Sequence, residues 1–238
     1  MYKIKNYIFF SFYLILNPKL IKMSLLDKIY IPVYVQFEWL RKYKISTIID
    51  AGANQGKVSQ AVKYIFPEAT VYAFEPNQKL HSTIKNTIKN KLTLISFALS
   101  DKNGIAKFHS YTDPAMSSLL PLAEDKNKKI IKVKTVTIDK YFKNKNLKKE
   151  VFLKIDTQGA EELILRGAKN TLKNISIIHI ETFFSELYKN QTYFEKVYKF
   201  LTENGFKYIG DAQEAYFYPN FGPQKITNSV FINSKLNI

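Results

Sequence analysis

The sequence contains no cysteine, which excludes disulfide bonds, thiolate zinc sites and cysteine nucleophiles together. Arginine is almost as scarce: Arg41 and Arg166 are the only two, so lysine supplies nearly all of the 36 positive side chains. The absence of cysteine suits a reducing cytoplasm. We therefore expect a cytoplasmic protein, with a peripheral position at the inner face of the membrane as the alternative.

The net charge of +16 first suggests a nucleic-acid-binding surface. However, the reading of base edges depends on the planar fork of arginine, which is nearly missing here. Lysine, asparagine and isoleucine are all abundant, as an AT-rich coding sequence would produce. We attribute the charge to composition and predict no nucleic-acid partner, while an attraction to anionic surfaces such as lipid headgroups stays open.

An apolar run of ten residues, Tyr7–Leu16, lies close to the N-terminus. A membrane-spanning helix needs about 20 apolar residues, so this run is too short to cross a bilayer. It resembles the hydrophobic region of a signal peptide, but no small-residue cleavage site follows it. A packed or unstructured leader and a weak interfacial anchor both stay open. We assign residues 1–45 to an N-terminal extension, with a helical structure as one interpretation, and residues 46–238 to one domain.

From Thr47 onward, short apolar strands alternate with helices, which predicts a mostly parallel sheet covered on both faces. The predicted strands are Thr47–Asp50, Thr70–Phe74, Leu92–Phe97, Val151–Ile155 and Ser176–Ile180, followed by a closing pair at Phe206–Ile209 and Ser229–Ile232. Helical spacing of apolar residues predicts helices at Val58–Ile65, Leu80–Ile88 and Tyr193–Asn204. An inserted ribbon is predicted at Ala106–Tyr111 and Ile130–Val136.

The first predicted strand leads into the loop Asp50–Gly56 (DAGANQG), and a helix follows. In open α/β sheets a nucleotide-like ligand lies at this crossing. The glycine spacing is G-x-x-x-G rather than the dinucleotide fingerprint, which disfavours an NAD-dependent oxidoreductase. A carboxylate at the strand end, Asp50, would repel a pyrophosphate but suits a ligand with a cationic amino group, such as S-adenosylmethionine. A plain strand-to-helix turn is the alternative.

Glu75 ends the second predicted strand, and Pro76 fixes the turn after it. An acid at this position is placed to accept hydrogen bonds from both ribose hydroxyls of an adenosine. Because an NAD enzyme would carry the same acid, Glu75 indicates adenosine rather than a methyl donor.

Several motifs follow one another in a defined order. They are Asp50–Gly56 (DAGANQG), Phe74–Asn77 (FEPN), Ala98–Gly104 (ALSDKNG), Ser117–Leu119 (SSL), Thr135–Asp139 (TVTID), Lys154–Glu161 (KIDTQGAE) and Leu165–Ala168 (LRGA). In this order they resemble the FkbM family of methyltransferases, from about Thr47 to Thr182. The resemblance implies that residues 46–238 form a Rossmann-like class I methyltransferase domain, a doubly wound sheet with an antiparallel closing strand and a small β insertion. It also implies S-adenosyl-L-methionine as donor and an oxygen acceptor on a sugar, glycan, polyol or secondary metabolite.

The resemblance further implies a set of cofactor-binding positions. They are Asp50, Gly52, Asn54, Gly56 and Glu75, with Ser96, Phe97 and Ala98 along the adenine. The sequence departs from the family pattern at Thr157 and Gln158, where many members have a hydrophobic residue followed by glutamate. Gln158 cannot accept a proton as a base would.

Methyl transfer to a hydroxyl requires a group that accepts the hydroxyl proton. Asp156, at the end of the fourth predicted strand, is the leading candidate, although it could instead cap the following turn or bind the cofactor. Glu181 and His179 are the other candidates, but a histidine inside an apolar strand is more often a core residue. Asp156 and Glu181 could converge on Mg²⁺, but nothing in the sequence requires a metal and none is predicted.

Three other functions stay open beside methyl transfer. One is a nucleic-acid-binding or RNA-modifying Rossmann-like protein, suggested by the charge and by the 15% of aromatic residues. The second is an NAD-dependent oxidoreductase on a similar fold. The third is a binding domain that has kept the fold without catalytic activity. The expected partner is a small-molecule or glycan acceptor, bound by the insertion around Ser117 and Ser118 and by the aromatic segment Tyr216–Phe221.

Overall fold

A computed structural model describes residues 17–88, 92–124, 127–145, 147, 150–212 and 225–236. The apolar run Tyr7–Leu16 and the aromatic segment Tyr216–Phe221 lie outside the described residues, so the roles given to them stay predictions.

The described residues contain ten strands. They are β1 (Thr47–Ala51), β2 (Thr70–Phe74), β3 (Leu92–Ile95), β4 (Phe97–Leu99), β5 (Gly104–Ser110), β6 (Lys129–Val136), β7 (Val151–Ile155), β8 (Ile175–Phe183), β9 (Phe206–Asp211) and β10 (Ile226–Asn233).

The α-helices in the same ranges are short. They are α1 (Pro18–Leu25), α2 (Ile31–Phe37), α3 (Lys57–Ile65), α4 (His81–Thr87), α5 (Ile138–Phe142), α6 (Glu161–Arg166) and α7 (Phe194–Glu203), with 3₁₀ turns at Glu38–Lys42, Gln78–Leu80, Pro114–Met116 and Leu172–Asn174. None of these helices is long and apolar enough to span a bilayer.

The main sheet has seven strands in the order β3-β2-β1-β7-β8-β10-β9. The neighbours from β3 to β8 pair in parallel, whereas β10 runs antiparallel between β8 and β9. Every residue of β1 and β7 is buried, because helices cover both faces of the sheet. The predicted doubly wound sheet with an antiparallel closing strand is therefore confirmed.

The insertion forms a second sheet in the order β4-β6-β5. Here the predicted third strand, Leu92–Phe97, is wrong at its end: β3 stops at Ile95, and Phe97 begins β4, which pairs with Lys134 of β6. The intervening Ser96 is exposed. Because the apolar alternation continues across Ser96, the pattern could not show that the chain changes its hydrogen-bonding partner there.

The described part of the N-terminal extension belongs to the core of the protein. Leu20 and Met23 of α1 and Phe37 of α2 are buried in one cluster with Ile48 of β1 and Phe152 of β7. Two short helices therefore cover one face of the central strands.

Candidate functional site

A cleft of about 420 Å³ opens at the carboxyl ends of β1, β2 and β7. The loops that follow these strands line one side of it: Gly52–Gln55, Glu75–Asn77 and Asp156–Gln158. The insertion supplies the other side through Ala98, Leu99, Phe108, Asp113–Ala115, Ser117 and Leu119. This is the edge at which open α/β sheets bind ligands.

The loop after β1 needs glycine for two different reasons. Gly52 has a φ of +78°, and a Cβ added there would lie 2.1 Å from the carbonyl oxygen of Asp156. Gly56, also at a φ of +78°, precedes the first residue of α3 and packs beside Ile84. Gly52 lies on the cleft wall and Gly56 is buried behind it, so Gly56 shapes the loop rather than the surface of the cleft.

The backbone N–H groups of this loop are largely engaged within the protein. Gly52 and Ala53 both donate to the carbonyl oxygen of Phe74, at 3.1 and 3.0 Å. Asn54 donates its N–H to Oε2 of Glu75 at 2.9 Å. The loop is therefore not the cradle of free N–H groups that a pyrophosphate requires.

Glu75 lines the cleft and is 5% exposed. Besides the bond from Asn54, its Oε1 accepts the N–H of Asn77 at 2.8 Å. Burial raises the pKa of Glu75 to about 7, and the N–H groups of Asn77 and Asn54 oppose the rise. The carboxylate is fixed in orientation and titrates near neutral pH.

Asn54 brings an unsatisfied polar atom to the same wall. Its Oδ1 is buried and has no hydrogen-bond partner among the described residues. The residue also has a left-handed φ of 49°, a conformation that asparagine tolerates better than most residues. A buried acceptor without a donor is costly, so this oxygen fits a ligand with a donor group.

Asp50 does not line the cleft, and its predicted direct contact with the cofactor is not supported by its position. The side chain is fully buried; Oδ2 accepts the hydroxyl of Ser59 at 2.6 Å, and Oδ1 lies 3.3 Å from Nζ of Lys154. Asp50 therefore acts on the cleft through Lys154.

Lys154 is the central polar residue that the sequence prediction missed. Its ammonium group lies 3.5 Å from Oδ2 of Asp156 and donates to the carbonyl oxygen of Gly52 at 2.9 Å. Burial lowers the pKa of this ammonium, but the carboxylates of Asp156 and Asp50 outweigh burial and raise it. Lys154 therefore stays charged and ties the loop after β1 to the end of β7.

Asp156 is exposed to the cleft and is held from a second side by Gln158. The side-chain nitrogen of Gln158 donates to Oδ1 of Asp156 at 2.8 Å and to Oε2 of Glu181 at 3.0 Å. Its oxygen accepts the hydroxyl of Tyr188 at 2.7 Å. One amide thus joins the two candidate carboxylates, and Gln158 adopts a left-handed φ of 62° to do so.

The sequence left open that Asp156 and Glu181 converge on Mg²⁺, and in the structure both carboxylates accept hydrogen bonds from the same Gln158 amide. Glu181 is not among the described residues that line the cleft, whereas Asp156 and Gln158 are. Within the described ranges, no three His, Asp or Glu side chains converge as a metal site would require.

His179, one of the candidate bases, is a core residue and is not among the described residues that line the cleft. The ring is 2% exposed and lies 4.8 Å from the ring of Phe37 in α2. Neither ring nitrogen has a hydrogen-bond partner among the described residues. Burial lowers the pKa of His179 to about 3, and the Lys154 ammonium adds to the effect, so the ring stays neutral.

Of the three residues predicted to lie along the adenine, Ala98 lines the cleft. Ser96 is exposed between β3 and β4, and Phe97 packs beside the main core under Lys134. Neither is among the described cleft-lining residues, because the chain changes sheets at Ser96. The adjoining apolar wall is instead formed by Leu99 and Phe108.

A second concavity of about 580 Å³ surrounds Asp139, away from these strand ends. The carboxylate of Asp139 accepts bonds from the N–H and hydroxyl of Thr171 and from the N–H of Asn170. These bonds join α5 to the turn after α6. The role of Asp139 is therefore structural.

The strand order, the antiparallel β10 and a cleft bounded by an acid after β2 define a class I methyltransferase fold. The chain belongs to the FkbM methyltransferase family, because the profile of the "Methyltransferase FkbM domain" matches residues 50–208, well over half of the chain. The predicted family is therefore confirmed.

Individual similar proteins are more distant. The 2-O-methyltransferase NoeI of Sinorhizobium fredii (strain NBRC 101917 / NGR234) is 26% identical over 160 residues, which cover 60% of this chain and 66% of that protein. An rRNA methylase from Streptococcus thermophilus aligns with a TM-score of 0.47 at 10% identity, covering 85% of this chain and 96% of the other. The 1,6-didemethyltoxoflavin-N1-methyltransferase of Burkholderia thailandensis aligns with a TM-score of 0.46 at 9% identity, covering 86% and 77%. The two structural alignments carry no information on substrate.

The neutral state of His179 predicts how stability changes with pH. Its pKa is about 3 in the folded protein and near 6.5 when unfolded, so the unfolded chain binds more protons between these values. This residue's contribution to stability is complete above pH ~6.5 and falls as the pH drops, by about 2 kcal/mol at pH ~5. His179→Leu should remove this loss. The measurement is the free energy of unfolding of the wild type and the variant, from urea titrations at pH ~6.5 and pH ~5. The core assignment fails if the variant and the wild type lose the same free energy on acidification.

Proposed function

We propose that the protein is an S-adenosylmethionine-dependent methyltransferase that methylates a hydroxyl oxygen of a sugar, glycan or similar polyol. The observation that carries this proposal is the arrangement of the cleft. Glu75 and the unsatisfied Oδ1 of Asn54 lie on one wall, and Asp156 lies on the same edge of the sheet at the end of β7. Membership of the methyltransferase family supports the same conclusion.

The residues present fit the cofactor. The carboxylate of Glu75 can accept hydrogen bonds from ribose hydroxyls, and Oδ1 of Asn54 can accept one from the ammonium group of the methionine part. Ala98, Leu99 and Phe108 offer an apolar surface for the adenine. When bound, the cofactor supplies an activated methyl group, so the protein has mainly to align the acceptor and receive its proton.

Asp156 is the residue we assign to the acceptor proton. Its carboxylate reaches the cleft and is held between the Lys154 ammonium and the Gln158 amide, at 3.5 and 2.8 Å. Two fixed partners restrict the rotation of the carboxylate, so a free lone pair can be directed at one hydroxyl. With cofactor and acceptor bound, Asp156 would receive the proton of the acceptor hydroxyl at a carboxylate oxygen.

The other wall of the cleft suits an acceptor rich in hydroxyl groups. Asp113, Ser117 and Leu119 of the insertion line the cleft together with Thr157 and Gln158. Carboxylate, hydroxyl and amide side chains bind polyols through several hydrogen bonds at once. The similarity to a protein named a 2-O-methyltransferase also favours oxygen as the acceptor atom.

Two structural features disfavour the alternative functions. The engaged N–H groups of the loop after β1 leave little to bind the pyrophosphate of NAD. Both arginines have protein partners, Arg41 with Tyr34 and Arg166 with Glu162, and neither lines the described cleft. Calorimetry with S-adenosylhomocysteine, NAD and a short RNA separates the three functions directly.

The pKa of Glu75 predicts a pH-dependent affinity for the cofactor. The ionised carboxylate is the form that accepts ribose hydroxyls, and it is lost as the pH falls through about 7. We expect S-adenosylhomocysteine to bind about tenfold more weakly at pH ~6 than at pH ~8. Glu75→Gln should bind weakly at both pH values, and titration calorimetry measures all four affinities.

The matched control is Glu195→Gln on the exposed surface of α7, which should behave as the wild type. Equal affinities of wild type and Glu75→Gln at pH ~8 would show that Glu75 does not contact the cofactor.

Asp156→Asn separates proton transfer from cofactor binding. Asparagine keeps the size of the side chain but removes its basicity, so turnover of a hydroxyl acceptor should fall by roughly 10²–10⁴. The affinity for S-adenosylhomocysteine should change little. The measurement is initial rate with an acceptor found in a panel of sugars and glycans, with Glu181→Gln assayed beside it. Full turnover in folded Asp156→Asn, together with loss in Glu181→Gln, would move the base to Glu181.

A further inference from the structure

One side of α1 is apolar and turned away from the core. Leu20 and Met23 face inward and are buried, whereas Ile21 and Leu25, four residues apart, share the opposite side. Leu25 is 71% exposed, and Leu26, which caps the helix, is 69% exposed. We call Ile21, Leu25, Leu26 and the nearby Tyr30 the α1 patch. Adjacent exposed leucines of this kind mark an interaction surface.

Basic side chains surround the α1 patch. Lys19 and Lys22 lie on the exposed part of α1, and Lys28 follows in the exposed turn. Asp27 is the acidic residue between Pro18 and Tyr30. It accepts a hydrogen bond from the hydroxyl of Tyr64 at 3.3 Å. Exposed leucines flanked by lysines are the composition of a helix that lies in the headgroup region of an anionic bilayer.

The chain that precedes α1 extends this pattern. The apolar run Tyr7–Leu16 ends two residues before Pro18, the first residue of the helix, and Lys3 and Lys5 stand before it. The sequence before α1 is therefore rich in the same two kinds of side chain, apolar and basic. A run too short to cross a bilayer is still long enough to bind in its interface.

The α1 patch is also close to the rim of the cleft. Nζ of Lys57 lies 4.4 Å from the ring centroid of Tyr30, and Lys57 lines the cleft, as does Val33 of α2. A surface bound at the patch would therefore lie close to the cleft rim, with the Lys57 side chain between Tyr30 and the cleft.

We propose that the α1 patch docks the protein on the surface of an anionic phospholipid bilayer, with Leu25 and Leu26 inserted among the headgroups and Lys19, Lys22 and Lys28 on the phosphates. The charge complementarity and the apolar run that leads into α1 favour a bilayer over a second protein. The docking is independent of methyl transfer and requires neither cofactor nor acceptor.

The test is sedimentation of the full-length chain with vesicles of phosphatidylcholine, with and without phosphatidylglycerol. We expect binding to the anionic vesicles that weakens at high salt, and about tenfold weaker partitioning for Leu25→Glu/Leu26→Glu. The matched control is Ile105→Glu/Ile130→Glu on the basic ribbon of β5 and β6, where these isoleucines are 72% and 50% exposed. This control should bind as the wild type does. None of the four side chains is buried, so both variants should fold. Thermal unfolding of each variant verifies this.

Three results would overturn the proposal. The first is absence of wild-type binding to anionic vesicles. The second is equal binding by the wild type and Leu25→Glu/Leu26→Glu, or a loss confined to the ribbon variant, because the docking surface would then lie elsewhere. The third is a wild type that self-associates without binding vesicles and becomes monomeric in Leu25→Glu/Leu26→Glu, which would make the patch an interface between copies of this chain.

Discussion

The buried ammonium group of Lys154 is the feature on which the cleft depends. It lies between the carboxylates of Asp50 and Asp156, at 3.3 and 3.5 Å, and donates to the carbonyl oxygen of Gly52. A buried charge is tolerated when paired charges and hydrogen bonds replace its hydration. Lys154 therefore fixes the ends of β1 and β7 relative to each other, and these ends form the floor of the candidate site.

The same cluster explains why a neutral amide suits position 158. Asp156 and Glu181 both accept from Gln158, and Lys154 is the cation that faces this group most directly. A glutamate at position 158, which the resemblance to the family leads one to expect, would replace two donated hydrogen bonds with a third negative charge. The departure from the family pattern is thus matched to its surroundings. Tyr188 fixes the amide oxygen, and its ring packs on Gly159, where an added Cβ would lie 2.8 Å from the Cβ of Tyr188.

The sequence predicted the fold and the positions at strand ends better than the direction of side chains. The loop after β1, Glu75 and Asp156 all lie at the cleft, because strand ends in a parallel sheet share one edge. His179 and Glu181 are two residues apart in β8 and were both candidate bases, yet Phe37 covers His179 while Glu181 accepts a hydrogen bond from Gln158. Alternation along a strand shows which residues share a face, but not which distant segment covers it. The importance of Lys154 could have been inferred from the sequence. It is the one lysine within the predicted central strands, and a lysine buried in a strand requires a partner.

A double-mutant cycle on Asp50 and Lys154 tests this account most directly. Lys154→Met leaves Asp50 buried without a cation, so the free energy of unfolding should fall by about 3–5 kcal/mol in a urea titration. Adding Asp50→Asn removes the stranded charge and keeps an acceptor for Ser59, so much of the loss should be recovered. A Lys154→Met protein as stable as the wild type, or losses that simply add in the double variant, would contradict the central role of this ion pair.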